Sequence, residues 1–336
     1  MVESSDDAWI FHDALWLSAT QKIWSLISKS FCVEQEGKLI GIMPLQMRPN
    51  QKLVSIYVGT GGAALVPGLA QPFQEKVYKF IYDEVEHIAK ENKSPSVEIY
   101  LAPLSASQLN NKWSVNPLIK FFYQDTSTHT WMIDLEVEEE KILKNFSEDA
   151  RQKVKKAVAA GLTVEAANPR DVLDVIYPIH CENYKRTEVE PHPKAYFEAI
   201  IDGVCAQNRA FIFLAKDQKQ TPVAYEIVGL FKKGAQYWAG ACKTEHLESG
   251  VNYLLQQHAI LWAKRQGARW FNHGEAFPNV REGKLKGLTV FKGKFGGELH
   301  RNFKGLLDLS PQTRPGFIPA IKSSFRRAKS YFINRK

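Results

Sequence analysis

The segment GLTVFKGKFGGEL, Gly287 to Leu299, packs four glycines, two lysines and two phenylalanines into thirteen residues. A lysine held among apolar residues is a fixed positive charge, the kind of group that stabilises an oxyanion in a water-poor cleft. A glycine pair lets the chain pass close to a neighbour. On alternation alone the segment predicts a short strand with one buried face, Lys292 and Lys294 sharing the other, and a bulge or turn at Gly296-Gly297. The residues by themselves leave two readings open, a solvated strand lysine or a fixed charge with a task. A second stretch, FNHGEAF, puts His273 and Glu275 on one face of a strand end, where either side chain can accept a proton from an incoming ammonium. Tyr237 and Trp238 lie in the apolar run AQYWAGACK, where core packing is the ordinary use of an aromatic ring.

The surrounding composition narrows the class. The chain has 336 residues, 44% hydrophobic and 24% charged, which is a globular balance long enough for two domains. Its net charge of +8 favours polyanionic partners. Neither GxGxxG nor GxxxxGK followed by Ser or Thr is found, so the standard nucleotide loops are excluded. Four scattered cysteines, with no CxxC pair and no histidines at ligand spacing, point to no metal site and no disulfide framework. The acidic start MVESSDDAWIF lacks the basic-then-apolar order of a signal peptide, and no uncharged apolar run approaches membrane-spanning length. The expected location is cytoplasmic.

Two α/β halves position these groups. In the first, Gly37 fits a hairpin turn between FCVEQ and KLIGIM, the loop GTGGAALVPG follows the strand-like run LVSIYVG, and PFQEKVYKFIYDEVEHIAKE has helical spacing before the strand VEIYLAP. In the second, TWMIDLEV is a strand. SEDARQKVKKAVAAG is a helix with Ser147 as N-cap and Gly161 as stop. LTVEAA, AFIFLAKD, PVAYEIVGLF and AQYWAGACK are successive strands with a helical hairpin over Val172 to Ala206, and the helix ESGVNYLLQQHAILWAKRQG precedes ARWFNHGEAF. The repeated order suggests an internal duplication. It predicts an α/β (α+β) protein with mixed sheets flanked by helices, in domains 1–125 and 126–310. The tail 311–336 reads as a basic amphipathic helix suited to docking on the protein or on an anionic membrane face.

The hairpin in GKLIGIMPLQ, the strand VEIYLAP, the helix RQKVKKAVAAG, the segment ESGVNYLLQQHAILWAKRQGARWF and the closing KGLTVFKGKFGG together resemble the FemAB-type acyltransferases, over about Phe31 to Leu299. The resemblance implies two tandem GNAT-like domains and transfer of an acyl or aminoacyl group to an amine of a cell-envelope glycan, nucleotide-sugar or peptidoglycan precursor, at the inner face of the membrane. It places Phe291 and Lys292 at the reaction centre, with the Lys292 charge on the tetrahedral oxyanion. It also makes CENYKRTEVEP a substrate-facing loop, with Tyr184, Lys185 and Arg186 as acceptor contacts beside Tyr237 and Trp238. The basic helix carrying Arg151 and Lys155 becomes an element beside the substrate cleft, where a solvated surface helix is the plain alternative. Where an acetyl-CoA-dependent GNAT fold carries a Q/R-x-x-G-x-G/A loop, this chain reads TEHLESGVNYLL. The helix start around Ser249, Gly250 and Asn252 then remains as a phosphate contact. The incomplete loop favours aminoacyl-tRNA as the activated donor over acyl-CoA, with no bound cofactor. Asn272 stands where the family usually has Asp. From another class, a noncatalytic RNA-binding module would interleave exposed aromatics with its basic residues, and no such string is found.

Overall fold

A computed structural model describes residues 1–110, 115–310 and 326–329. The chain divides into two compact units, residues 1–128 with 301–336, and residues 129–300.

In the first unit, helix α1 (Ala14–Ile23) precedes strands β1 (Phe31–Gln35) and β2 (Lys38–Met43), which are joined by a tight turn with positive φ at Glu36 and Gly37. Helix α2 (Gln71–Glu91) buries Val77, Ile81, Val85 and Ile88, the i, i+4, i+8 and i+11 stripe its sequence spells, and strand β3 (Ser96–Tyr100) follows. The run LVSIYVG forms only a two-residue strand, Leu53–Val54. The glycine-rich loop after it serves packing within this unit. A Cβ at Gly59 would lie 2.5 Å from the Phe11 ring, and one at Gly61 would lie 2.3 Å from the His12 ring. His12 accepts from Trp9 N–H at Nδ1 and so donates from Nε2 to the Gly62 carbonyl at 3.0 Å.

The second unit is a seven-stranded sheet. Its elements in chain order are β4 (Thr128–Asp134), α3 (Glu148–Ala159), β5 (Thr163–Ala166), α4 (Pro169–Arg186), α5 (Lys194–Ala199), β6 (Ala210–Lys216), β7 (Pro222–Phe231), β8 (Gly234–Cys242), α6 (Val251–Arg265), β9 (Trp270–Ala276), α7 (Gly283–Gly293) and β10 (Glu298–Asn302). The strand order is β5-β6-β7-β8-β9-β4-β10. Ser147 Oγ accepts from Ala150 N–H at 3.2 Å to start α3, and Gly161, φ 72°, ends it. Helix α6 buries eight of its fifteen residues, Val251, Leu255, Ala259 and Ile260 among them, because it shares one core with the sheet and α3.

The chain then returns to the first unit: β11 (Lys304–Asp308) pairs antiparallel with β3, so this stretch belongs to the first sheet and not to a second domain ending at 310. Strand β12 (Arg326–Lys329) pairs with β1. This part of the tail is therefore a strand and not the expected basic amphipathic helix; the remainder of the tail lies outside the described residues. No helix among the described residues is long and apolar enough to cross a membrane.

The segment Gly287 to Gly293 is also a correction. It belongs to a helix, α7, and not to a strand. A run this short fits period 2 and period 3.6 alike, and tertiary contacts decide. Thr289 Oγ1 donates back to the Leu285 carbonyl at 2.9 Å and accepts from Phe277 N–H at 2.8 Å, and the Thr289 carbonyl accepts from Trp131 Nε1 at 3.1 Å. Lys292 and Lys294 consequently do not share a face.

Candidate active site

Strands β8 and β9 run parallel and pair at only three positions, Gly234 with Trp270, Ala235 with Phe271 and Gln236 with Asn272. Beyond them no pairing between the two is found among the described residues, and the consequence shows in burial. Ala235, Ala241 and Cys242 of β8 are buried, whereas Gln236 to Gly240 between them are partly exposed, in a central strand with three others on its own side of the break and three beyond it. A central strand loses cover this way only where the sheet opens. Unpaired backbone groups at such an opening are donors and acceptors awaiting a partner.

On the other side of the opening β9 bulges. Its pairing with β4 shifts between Asn272 and Glu275, and Gly274 takes φ 84°. Asn272 holds the bulge: its Oδ1 accepts from Gly274 N–H at 2.7 Å and from the Thr130 hydroxyl. A carboxylate would accept both bonds equally well, so asparagine in place of aspartate leaves this geometry unchanged.

Lys292 reaches this bulge from α7. Its side chain is 9% exposed, and Nζ donates to the Glu275 carbonyl at 2.8 Å, its one acceptor among the described residues. Nζ lies so close to Gly274 that a Cβ there would meet it at 3.2 Å. Burial lowers the ammonium from its ordinary 10.5 to about 8, against the opposing pull of Glu275. Lysine thus remains largely charged at neutral pH, with two N–H bonds left to donate.

The neighbouring candidates fall into place by geometry. His273 is wholly buried, its Nε2 bonded to Gln256 Oε1 on α6 and its ring edge-on to Phe271 and near Phe295. Burial, reinforced by the Lys292 charge, lowers it to about 3. It is a neutral structural ring, too weak a base to take a proton from an amine. Glu275 is half-buried beside the Lys292 ammonium. Phe291 packs edge-on against Tyr253 and Phe295, at 5.1 and 5.3 Å between centroids, and so anchors α7. Lys294 is tied elsewhere, at 2.6 Å from Asp149 and 3.2 Å from the Tyr253 hydroxyl. The glycine pair admits β4: a Cβ at Gly297 would sit 2.4 Å from the Met132 carbonyl oxygen.

Other sequence-level candidates divide between structural and open positions. Arg151 donates to the Lys144 and Phe146 carbonyls, closing the end of the preceding helix Glu139–Asn145, while Lys155 is exposed. At the start of α6, Ser249 Oγ accepts from Val251 N–H at 3.2 Å, and the Asn252 amide points to Cys242 Sγ at 3.4 Å. Gly250, φ 85°, presses on α3, where a Cβ would meet the Lys153 carbonyl oxygen at 2.3 Å. At this helix start the Val251 N–H is thus taken by Ser249 Oγ, and the backbone at Gly250 packs against α3. Tyr184, in the last turns of α4, lies tilted against the His180 ring at 4.0 Å between centroids, and Lys185 and Arg186 beside it are exposed. His180 accepts from His192 N–H at Nε2 and so donates from Nδ1 to the Tyr225 hydroxyl at 2.9 Å. Tyr237 packs toward α6 and His273, and the half-buried Trp238 sits at the register shift of β8 against β7. Among the described residues no cluster of His, Cys, Asp or Glu is arranged to hold a metal.

Two groups escaped the sequence reading. Gln256 is one, hidden on an amphipathic helix among ordinary polar residues. Glu226 is the other, 2% exposed on β7. Its signal was available, since PVAYEIVGLF is an apolar strand interrupted by one carboxylate.

Residues 144–277 match the family model described as Acetyltransferase (GNAT) domain. No curated protein matches the chain. Among solved structures, that of FemX is similar with a TM-score of 0.67 at 16% identity, over 92% of this chain and 94% of that one. The C-terminal domain of a putative lysylphosphatidylglycerol synthetase from Agrobacterium fabrum gives 0.58 at 12% identity, over 85% and 84%. A tandem GNAT protein from the clavulanic acid biosynthesis pathway gives 0.51 at 10% identity, over 86% and 85%. The chain therefore has the tandem GNAT fold of the FemAB-type acyltransferases, and residues 144–277 of its second unit match the acetyltransferase (GNAT) domain.

Proposed function

We propose that the second unit transfers an acyl or aminoacyl group from an activated donor to an amine of a cell-envelope glycan, nucleotide-sugar or peptidoglycan precursor. The observation that carries this reading is the buried Lys292 ammonium at the bulge of β9, on the strand from which β8 has parted. The amine nitrogen attacks the donor carbonyl carbon, and the carbonyl oxygen takes the electron pair. Lys292 donates to that oxyanion with an N–H not engaged by Glu275. The carbon–oxygen bond of an ester donor, or the carbon–sulfur bond of a thioester, then breaks as the carbonyl reforms. The nitrogen, cationic once it has bonded to the carbon, loses its proton to a base, for which the Glu275 carboxylate is the candidate, and the leaving group is protonated. Tyr184, Lys185 and Arg186 are the proposed acceptor contacts.

Aminoacyl-tRNA is the preferred donor. The packing of the α6 start against α3 supports this choice, because a pyrophosphate would compete there with Ser249 for the Val251 N–H and with the α3 backbone. The FemX likeness, and that to a protein named for a lysyl group on phosphatidylglycerol, agree with aminoacyl transfer. The acetyltransferase description of the matching family model favours acyl-CoA as the second reading. Calorimetry separates the two: weak CoA binding is expected, and saturable binding at low micromolar CoA would select the acyl-CoA reading. Single-turnover transfer from aminoacyl-tRNA to an amine acceptor, with wild type and Lys292→Met side by side, tests the reaction itself.

A further inference from the structure

Glu226 is a carboxyl group where the core offers it nothing. It lies on β7 directly opposite Gly240 of β8, and its Oε1 is buried without a hydrogen-bond partner among the described residues. Leaving such an acceptor unsatisfied carries a desolvation penalty, larger if it is charged. Burial accordingly pushes this carboxyl well above the usual carboxylate range.

The position opposite is equally unusual. Gly240 is partly exposed and belongs to the stretch of β8 left uncovered where β9 departs. Having no side chain, it leaves the space beside Glu226 to the Tyr237 ring, whose hydroxyl would be 3.1 Å from a Cβ at Gly240. Burial raises the Tyr237 hydroxyl above its ordinary value, with the neighbouring Glu226 contributing. A buried carboxyl oxygen without a partner among the described residues and a tyrosine hydroxyl thus stand near each other, reached through a residue with no side chain, at the strand that lines the opening.

We infer that Glu226 and Tyr237 form a subsite for an organic ammonium group, and that this group is the α-ammonium of the aminoacyl moiety carried by the donor. An ammonium donates three hydrogen bonds and supplies the positive charge a buried carboxylate lacks, and the tyrosine ring adds a favourable face for a cation. A plain acyl chain satisfies neither oxygen. The inference rests on the acyl-transfer reading and deepens it, since it specifies what the transferred group must carry.

The test measures binding of small probes to the full chain by saturation-transfer NMR and calorimetry. L-Alaninamide carries an α-ammonium beside a carbonyl, propionamide lacks the ammonium, and n-propylamine lacks the carbonyl. Alaninamide is expected to bind at least tenfold more tightly than propionamide, and Glu226→Gln, close in shape and neutral, is expected to remove that preference. Tyr237→Phe should reduce it several-fold. Propylamine binding as tightly as alaninamide, with the same loss in Glu226→Gln, would support the ammonium subsite but overturn the donor as its source in favour of the acceptor amine. Equal binding of alaninamide and propionamide, or an unchanged preference in a folded Glu226→Gln, overturns the subsite. Turnover of Lys292→Met is read separately, so failure of the subsite and failure of acyl transfer are distinguishable.

Discussion

The Lys292 ammonium donates to the backbone carbonyl of Glu275 at 2.8 Å, so its charge is positioned by a strand and not neutralised by a carboxylate. A lysine in a close ion pair has little field left for a substrate, whereas one held by a carbonyl keeps its full charge for an oxyanion. Lys294, two residues on, shows the contrast, because its charge is spent on Asp149.

Lys292→Met is expected to lower kcat about a hundredfold or more while leaving KM for the acceptor and the folded state largely intact, since the charge is used only along the reaction path. Lys294→Met removes a partly exposed ion pair, for which a loss under about 1 kcal/mol of stability and near wild-type kcat are expected. Single-turnover kinetics and urea unfolding of both variants decide this. Equal kcat in wild type and Lys292→Met would reduce Lys292 to a structural lysine.

The same lysine sets an alkaline limit. Its pKa of about 8 in the fold lies below the ordinary 10.5, so activity should fall as pH rises through about 8 and the ammonium is lost. Stability should move the opposite way. Below about 8 the native state carries the full cost of a buried charge. Between 8 and 10.5 the unfolded chain binds the extra proton, so folding gains with rising pH, by roughly 3 kcal/mol at the limit. Opposed slopes of kcat and unfolding free energy across this window, with the stability slope reduced in Lys292→Met, are the expected signature.

At the acid end His273 dominates. Its folded value of about 3 against an ordinary 6.5 means the neutral ring stabilises the fold above pH 6.5, and this contribution is lost as pH falls toward 3, about 5 kcal/mol in all. His180, lowered to about 4 by burial and by His192, acts in the same direction. His273→Gln should flatten the acid limb of a pH–stability curve recorded by thermal melting. An unchanged limb would remove His273 from the account.

Gly250 and Gly267 separate backbone strain from collision. Both have positive φ, 85° and 79°, but a Cβ at Gly250 would strike the Lys153 carbonyl oxygen while one at Gly267 meets nothing within 4 Å. Gly267→Ala should cost about 1 kcal/mol, the left-handed penalty alone. Gly250→Ala should cost about 2 to 4 kcal/mol, since α3 and α6 must separate. Urea midpoints measure both, and equal losses would show that α3 yields freely.

Local rules in the sequence determined much of this protein. The turn at Gly37, the Ser147 cap, the Gly161 stop, the stripe of α2 and the apolar runs of β6, β7 and β8 rest on neighbours in the chain, and each formed as its residues dictate. The alternation of two α/β halves, and with it the tandem GNAT fold, was legible for the same reason. Tertiary structure decided the rest. Whether GLTVFKG is helix or strand depended on Trp131 and Phe277, far away in the chain, which hydrogen-bond to Thr289 and its carbonyl. Which lysine stays available depended on Asp149 lying beside Lys294 and a bare carbonyl lying beside Lys292. His273 looks like a base in sequence and becomes a neutral ring because Gln256 and the core enclose it. Glu226 is one letter in an apolar strand until the parting of β8 from β9 exposes the stretch beside it, for burial and charge are properties of the packed sheet and not of the residue.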